Sequence, residues 1–337
     1  MADRPKVKVA LVGSESLLGR EIRDLAVETA PELDLRLIAA EEGRAGLLTA
    51  LGDEPALVTA LDADNLSGVR AIILAGSEAS SRRALELAAG EPDAAIIDLT
   101  FAAEELLGAR LRAPAVELEP DEDGGAVHIV AHPAAIALAL FLRRLHAHDP
   151  IRRSVIHILA PASERGAEGI EELQAQTVSL LSFKSLPKAI FDAQLAFSLL
   201  ARYGDQAPTP LDRTAHAIER HLAALLELPG EGEGAPMPSL GLIQAPVFHG
   251  YSFSAWVELE SNPGIEGLES GLACEWIDVR GADAEPPDNV GNAGQPGIAV
   301  GGMAEDSACP DACWFWMVAD NLKLAAENAV AVARGLA

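Results

Sequence analysis

From Lys8 to Val12 the chain is a short apolar run that breaks at Gly13. After a turn to Gly19, apolar residues Ile22, Leu25 and Ala26 recur at helical spacing as far as Thr29. The alternation repeats: 35–39, 69–74 and 94–98 read as strands, 80–89 as a helix between the last two, and 127–131 as a strand closing the series before Pro133. Strands alternating with helices predict a parallel, doubly wound α/β sheet. Beyond Pro133 the rhythm changes. Residues 153–159 read as a strand, 166–181 and 209–228 as long helices, 229–238 as a loop, and 242–248 and 252–260 as strands. Residues 281–302 read as loop-rich with one short apolar run, and a helix from about 320 to 336 ends the chain. A second α/β domain with a mixed sheet follows, its helices on one face. The expected division is 1–133 with 320–337 for the first domain and 134–319 for the second.

Composition sharpens this picture at a few points. The chain is 49% hydrophobic but only 4% aromatic, so its cores must be built from Ala, Leu, Val and Ile. A formal charge of −26 argues against a nucleic-acid partner, which needs clustered Lys and Arg. The longest apolar stretch, 126–145, contains His128, His132 and Pro133 and ends in Arg143 and Arg144. It reads as strand, turn and helix rather than as a membrane span. Lys6 and Lys8 lead straight into the first strand without a signal-peptide pattern, and three cysteines suit a reducing compartment, so a cytoplasmic location is expected. Cys309 and Cys313 stand four apart in what reads as a loop, with no second Cys/His pair at zinc spacing, so no metal is expected.

The segment Gly13-Ser14-Glu15-Ser16-Leu17-Leu18-Gly19 joins a strand to a helix, where backbone N–H groups and the helix dipole suit a pyrophosphate. That context makes the first domain Rossmann-like and dinucleotide-binding. Ser16 stands where a third glycine would let the backbone approach phosphate, so the alternative is a plain βα turn that binds no nucleotide.

Five segments in order carry a more specific resemblance. They are the Gly13 turn, Ala75-Gly76-Ser77, residues 166–177 (GAEGIEELQAQT), Ala245-Pro246-Val247-Phe248-His249-Gly250, and Val318-Ala319-Asp320-Asn321-Leu322. Together they resemble the aspartate-semialdehyde dehydrogenase family over nearly the whole chain. The resemblance implies a Rossmann domain, an α/β dimerisation domain, a homodimer, and a terminal helix returned to the first domain. It implies cofactor contacts at Gly13, Ser14, Ser16, Leu17, Leu18, Gly19, Ala75, Gly76 and Asn321. It also implies chemistry in which a cysteine forms a thiohemiacetal and a thioester, a histidine handles protons and NADP carries hydride.

At the chemical positions this sequence departs from the family. The nucleophile's place falls on Ala135, and no Cys, Ser or Thr occurs between Thr100 and Ser154. Ala160 stands for a glutamine, Gln244 for the arginine that would hold a substrate carboxylate, and Tyr251 for the histidine. A methyl group has no lone pair, and an ordinary tyrosine, with a pKa of about 10, does not collect protons near neutrality. His249, two residues before Tyr251, is the outside candidate for a displaced base, and Cys274 has no spacing that ties it to His249. After the second strand, Glu41 and Glu42 favour a ribose diol over a 2′-phosphate, although Arg44 is close. NAD is therefore preferred to NADP, with an empty turn as the third option. The expectation is a Usg-like member that has lost thiol chemistry and serves in binding or regulation. The alternative is an NAD(P)-dependent oxidoreductase acting on an aldehyde or oxo substrate without a cysteine. A heteromer with an active paralogue would supply the missing groups from outside the chain.

Overall fold

A computed structural model describes residues 6–90, 93–118 and 126–336, and the chain divides into two units, Met1–Ala131 with Ala325–Ala337, and His132–Leu324. The first unit holds β1 (Val7–Val12), α1 (Leu17–Thr29), β2 (Leu33–Ile38), a hairpin of β3 (Leu48–Leu51) and β4 (Glu54–Leu57), and α2 (Ala63–Leu66). It continues with β5 (Ala71–Leu74), α3 (Glu78–Ala88), β6 (Ala95–Asp98), β7 (Ala109–Arg112) and β8 (Val127–Val130). Six strands pair in the order β2-β1-β5-β6-β8-β7, every pair parallel.

The period of two explains the layering. Val9 and Leu11 of β1 face a core shared with Ile22, Leu25 and Ala26 of α1. Ala10 and Val12 face the opposite core, with Leu66 of α2 and Ala84 and Ala88 of α3. Both faces of the sheet are covered, which is why β1 from Val9 onward and β5 read as unbroken apolar runs. Ala326, Ala329, Val330 and Ala333 of the terminal helix α8 (Asn321–Gly335) join the first of these cores.

The second unit holds α4 (Pro133–His148), β9 (Ile151–Ala160), α5 (Gly166–Leu181), α6 (Leu211–Leu226), β10 (Ser239–Gln244), β11 (Tyr251–Leu259), α7 (Ile265–Leu272), β12 (Ile277–Val279), β13 (Ile298–Glu305) and β14 (Ala312–Ala319). Its sheet runs β10-β9-β11-β14-β13-β12 and is mixed: the outer pairs β10–β9 and β12–β13 are parallel, the inner ones antiparallel. Helix α4 is buried continuously from Ala134 to Arg143, the burial of a central helix rather than of a surface one. Strand β9 alternates, with Ile156, Ile158 and Ala160 buried while Arg153, Val155 and His157 point outward.

Three expectations are corrected. The strand expected over 242–248 is β10, which begins at Ser239 and ends at Gln244. Its ladder with β9 stops at Gln244 and Ala160, and Pro246 has no N–H to extend it. The loop-rich stretch 281–302 already contains the start of β13. Cys313, expected in a loop, is buried in β14 and donates to Asn262 Oδ1, whereas Cys309 lies in the connection before it. Among the described residues no helix is long and apolar enough to cross a membrane.

Candidate functional site

The turn after β1 is built by close approach. Gly13 has φ +84°, and a Cβ on it would collide with the backbone of Gly76; a Cβ on Gly19 would collide with the carbonyl of Gly13. Ser16 is the N-cap of α1. Its Oγ accepts from Gly19 N at 2.8 Å and donates to Ala75 O at 2.7 Å, so the hydroxyl ties the new helix to the end of β5. Ser14 is fully buried, and both its N–H and its Oγ go to Ile38 O. Ser77 caps α3 in a capping box with Ser80, beside Gly76. The N–H groups of Leu17 and Leu18, in the first turn of α1, have no acceptor among the described residues. Open N–H groups at a helix start, at the switch point between β1 and β5, form an arrangement that can hold an anion.

The positions tied by resemblance to thioester chemistry lie in the second unit, and each is fully buried: Ala135, Ala160, Gln244 and Tyr251 all have 0% exposure. Ala135 sits in the first turn of α4, one residue after Ala134, whose N–H donates to His132 Nδ1 at 3.2 Å. Because that N–H points at Nδ1, the ring proton of His132 lies on Nε2, which faces Glu164 Oε1 at 3.2 Å. The other oxygen, Oε2, accepts from the Tyr251 hydroxyl at 2.7 Å. Glu164 thus joins the start of α4 to the start of β11.

The electrostatics follow from that pairing. Burial, the largest influence on Glu164, raises its pKa, but the His132 ring, the Arg165 cation and the Tyr251 hydroxyl together bring it below the ordinary value. Burial, and then the charge and acceptor of Glu164, hold the Tyr251 phenol well above its ordinary pKa. Tyr251 is a locked donor.

A second chain of bonds closes the place of the arginine. Tyr203 OH donates to Gln244 Oε1 at 2.6 Å, while Gln244 Nε2 donates to Ala160 O at 2.9 Å and Ala245 O at 3.1 Å. Arg165 lies over the Tyr203 ring at 5.4 Å and donates to Thr214 Oγ1 at 2.6 Å. Asn321, a candidate cofactor contact, accepts from Ser163 Oγ and Gly250 N, both at 3.1 Å. His249 is half-buried ahead of β11, and its carbonyl accepts from Asn289 at 3.2 Å. Cys274 is exposed and bridges to Ile277 of β12, three strands from β11, or roughly 14 Å at ordinary strand spacing. The fold does not bring these two together.

Sequence reasoning did not single out His132, Glu164, Arg165 or Tyr203. The available signals were an imidazole directly before Pro133 and a Glu-Arg pair closing the apolar run of β9.

Comparison with known proteins agrees with this architecture. The family described as semialdehyde dehydrogenase, dimerisation domain, matches residues 142–324. A USG-1 protein homolog from Pseudomonas aeruginosa is 31% identical over 335 residues, covering 96% of each chain. The structure of a probable aspartate-semialdehyde dehydrogenase from Pseudomonas aeruginosa superposes with a TM-score of 0.83 at 28% identity, over 98% of both chains. An aspartate semialdehyde dehydrogenase with NADP from Candida albicans shares the fold, with a TM-score of 0.66 at 13% identity over 98% of both chains. By matched domain, full-length relative and shared architecture, the chain belongs to the semialdehyde dehydrogenase family.

Proposed function

We propose that this chain is a catalytically degenerate semialdehyde dehydrogenase homologue, a dimer that keeps a dinucleotide-binding frame for a binding or regulatory role. The observation that carries this reading is the alanine at 135 together with the closed polar bonds of His132, Glu164 and Tyr251 and of Tyr203 and Gln244. Ala135 offers no lone pair for a thioester, Tyr251 is held protonated, and both N–H groups of the neutral Gln244 amide are taken by carbonyls. In assays of aspartate semialdehyde with phosphate and either NAD or NADP, the protein is expected to give no reduced nicotinamide. The Ala135→Cys variant is expected to give none either, because no base accompanies the restored thiol. Phosphate-dependent turnover by the unmodified chain would overturn the reading.

The family implies a dinucleotide, and the open N–H groups of Leu17 and Leu18 fit its pyrophosphate. A bound nicotinamide would supply hydride transfer, while the family's acyl-acceptor position holds Ala135. Binding is weak, because Ser16 takes the Gly19 N–H, and NAD binds at least as well as NADP. Support for a homodimer comes from the outward face of the second sheet, where Val155, Trp256 and Trp314 stand side by side across β9, β11 and β14. Val155 and Trp314 are 41% and 42% exposed, an apolar row that suits a two-fold contact. Sedimentation should give a dimer at micromolar concentration; a monomer would count against it.

A further inference from the structure

The turn after β1 and the segment after β2 lie side by side, because Val12 and Ile38 are paired neighbours at the carboxyl ends of parallel strands. In this fold the segment after the second strand receives the adenosine ribose, and a carboxylate or a cation there decides between a 2′-hydroxyl and a 2′-phosphate. The two acidic side chains that the sequence offers for that task are drawn elsewhere. Glu41 is exposed and 3.7 Å from Arg44, and Glu42 is exposed and bonded to Arg83 at 2.9 Å.

Glu15 occupies the place instead. Its Oε1 accepts from Ala40 N at 2.7 Å and from Glu41 N at 3.3 Å, so one carboxylate oxygen takes both N–H groups that open the segment. Adjacent backbone N–H groups converging on one point form an anion receptor, and here the anion belongs to the chain itself. Its Oε2 is buried and has no donor among the described residues. A dianionic phosphate brought here would meet an acceptor already filling its donors and a like charge, while the neighbouring Arg20 is turned to the Glu15 carbonyl oxygen at 3.0 Å. A sugar hydroxyl brings its own donor and no charge.

We infer that Glu15 is the specificity-determining residue of this dinucleotide site: an internal carboxylate in the position of a 2′-phosphate, which admits a 2′-hydroxyl and turns NADP away. The inference rests on the reading of the Gly13 turn as a dinucleotide site. Its test is calorimetric titration of the unmodified chain, Glu15→Ala and Glu15→Gln with NAD and with NADP, joined to amide hydrogen exchange. In Glu15→Ala, NADP should bind about tenfold tighter or more while NAD changes by less than about threefold, and exchange at Ala40 and Glu41 should accelerate. Glu15→Gln keeps an oxygen for these N–H groups but loses the charge, so it should fall between the two in NADP affinity with exchange close to that of the unmodified chain. It also supplies a readout should Glu15→Ala fail to fold. If either variant alters both dinucleotides by the same factor, or neither, the role of Glu15 is refuted while the dinucleotide site stands. If none of the three proteins binds either dinucleotide, both are refuted.

Discussion

The turn at Gly13 and the network around Glu164 answer the same question in opposite ways. The turn is a structure of backbone: glycines that let strands and helix come close, and helix N–H groups at Leu17 and Leu18 left without acceptors. The network is a structure of side chains in which the two oxygens of Glu164 and both N–H groups of Gln244 are taken by groups of the same unit. Backbone donors survive substitution of the side chains around them, whereas a thiol, an imidazole and a guanidinium are each lost by one replacement. A cradle of backbone donors is therefore less sensitive to substitution than a site built from side chains.

The largest effect expected on this contrast comes from Glu164→Ala. It removes the acceptor of the buried Tyr251 phenol and the Glu164 bond to His132 Nε2, at a cost of about 3 kcal/mol. Urea unfolding of the variant should show that loss in its midpoint with little change in slope. A change under about 0.5 kcal/mol would mean that the network is not closed. Next in size is a pH effect whose sign is fixed by the lowered pKa of Glu164. A carboxyl group with a depressed folded-state pKa adds stability above its unfolded value of about 4.3, and that stability is lost as pH falls through the folded value. Melting temperature should fall more steeply below that point for the unmodified chain than for Glu164→Gln. Parallel curves would assign the acid sensitivity to other groups. The smallest effect belongs to the turn. Ser16→Gly gives up an N-cap at a cost of a few tenths of a kcal/mol, about the ordinary difference between these caps, and releases the Gly19 N–H. Both dinucleotides should bind about threefold tighter in calorimetry, and unchanged or weaker binding would show that the serine does not obstruct the turn.

The two regions were also unequally legible in the sequence. The turn could be read because its determinants are consecutive: an apolar strand, glycines at 13 and 19, and an amphipathic helix. Helix α5 likewise has the bounds that its pattern gives, Gly166–Leu181. Strand β10 was displaced in the reading because it lies at the sheet edge, where Leu240, Gly241 and Leu242 are half-buried and the apolar run through Phe248 carries on past the ladder. The network escaped notice because its members are far apart in the chain: Glu164 is 32 residues from His132 and 87 from Tyr251. Charge along the chain also did not reveal which carboxylate caps the segment after β2, since Glu41 and Glu42 follow the strand in sequence while Glu15 bonds its N–H groups in space.

The bonds joining Gln244, Tyr203 and Arg165 limit which charges position 244 can carry. An arginine returned at 244 would enter a fully buried slot beside Tyr203, whose ring already lies under the Arg165 guanidinium. Two cations would then share one aromatic partner; the carboxylate beside Arg165, that of Glu164, is already bonded to His132 and Tyr251, and neither Ala160 O nor Ala245 O neutralises a charge. An arginine at 244 should therefore destabilise the fold less when position 165 is neutral, which urea unfolding of the single and double variants would measure. The charge at one position of the second unit thus decides what a neighbour far along the chain can hold.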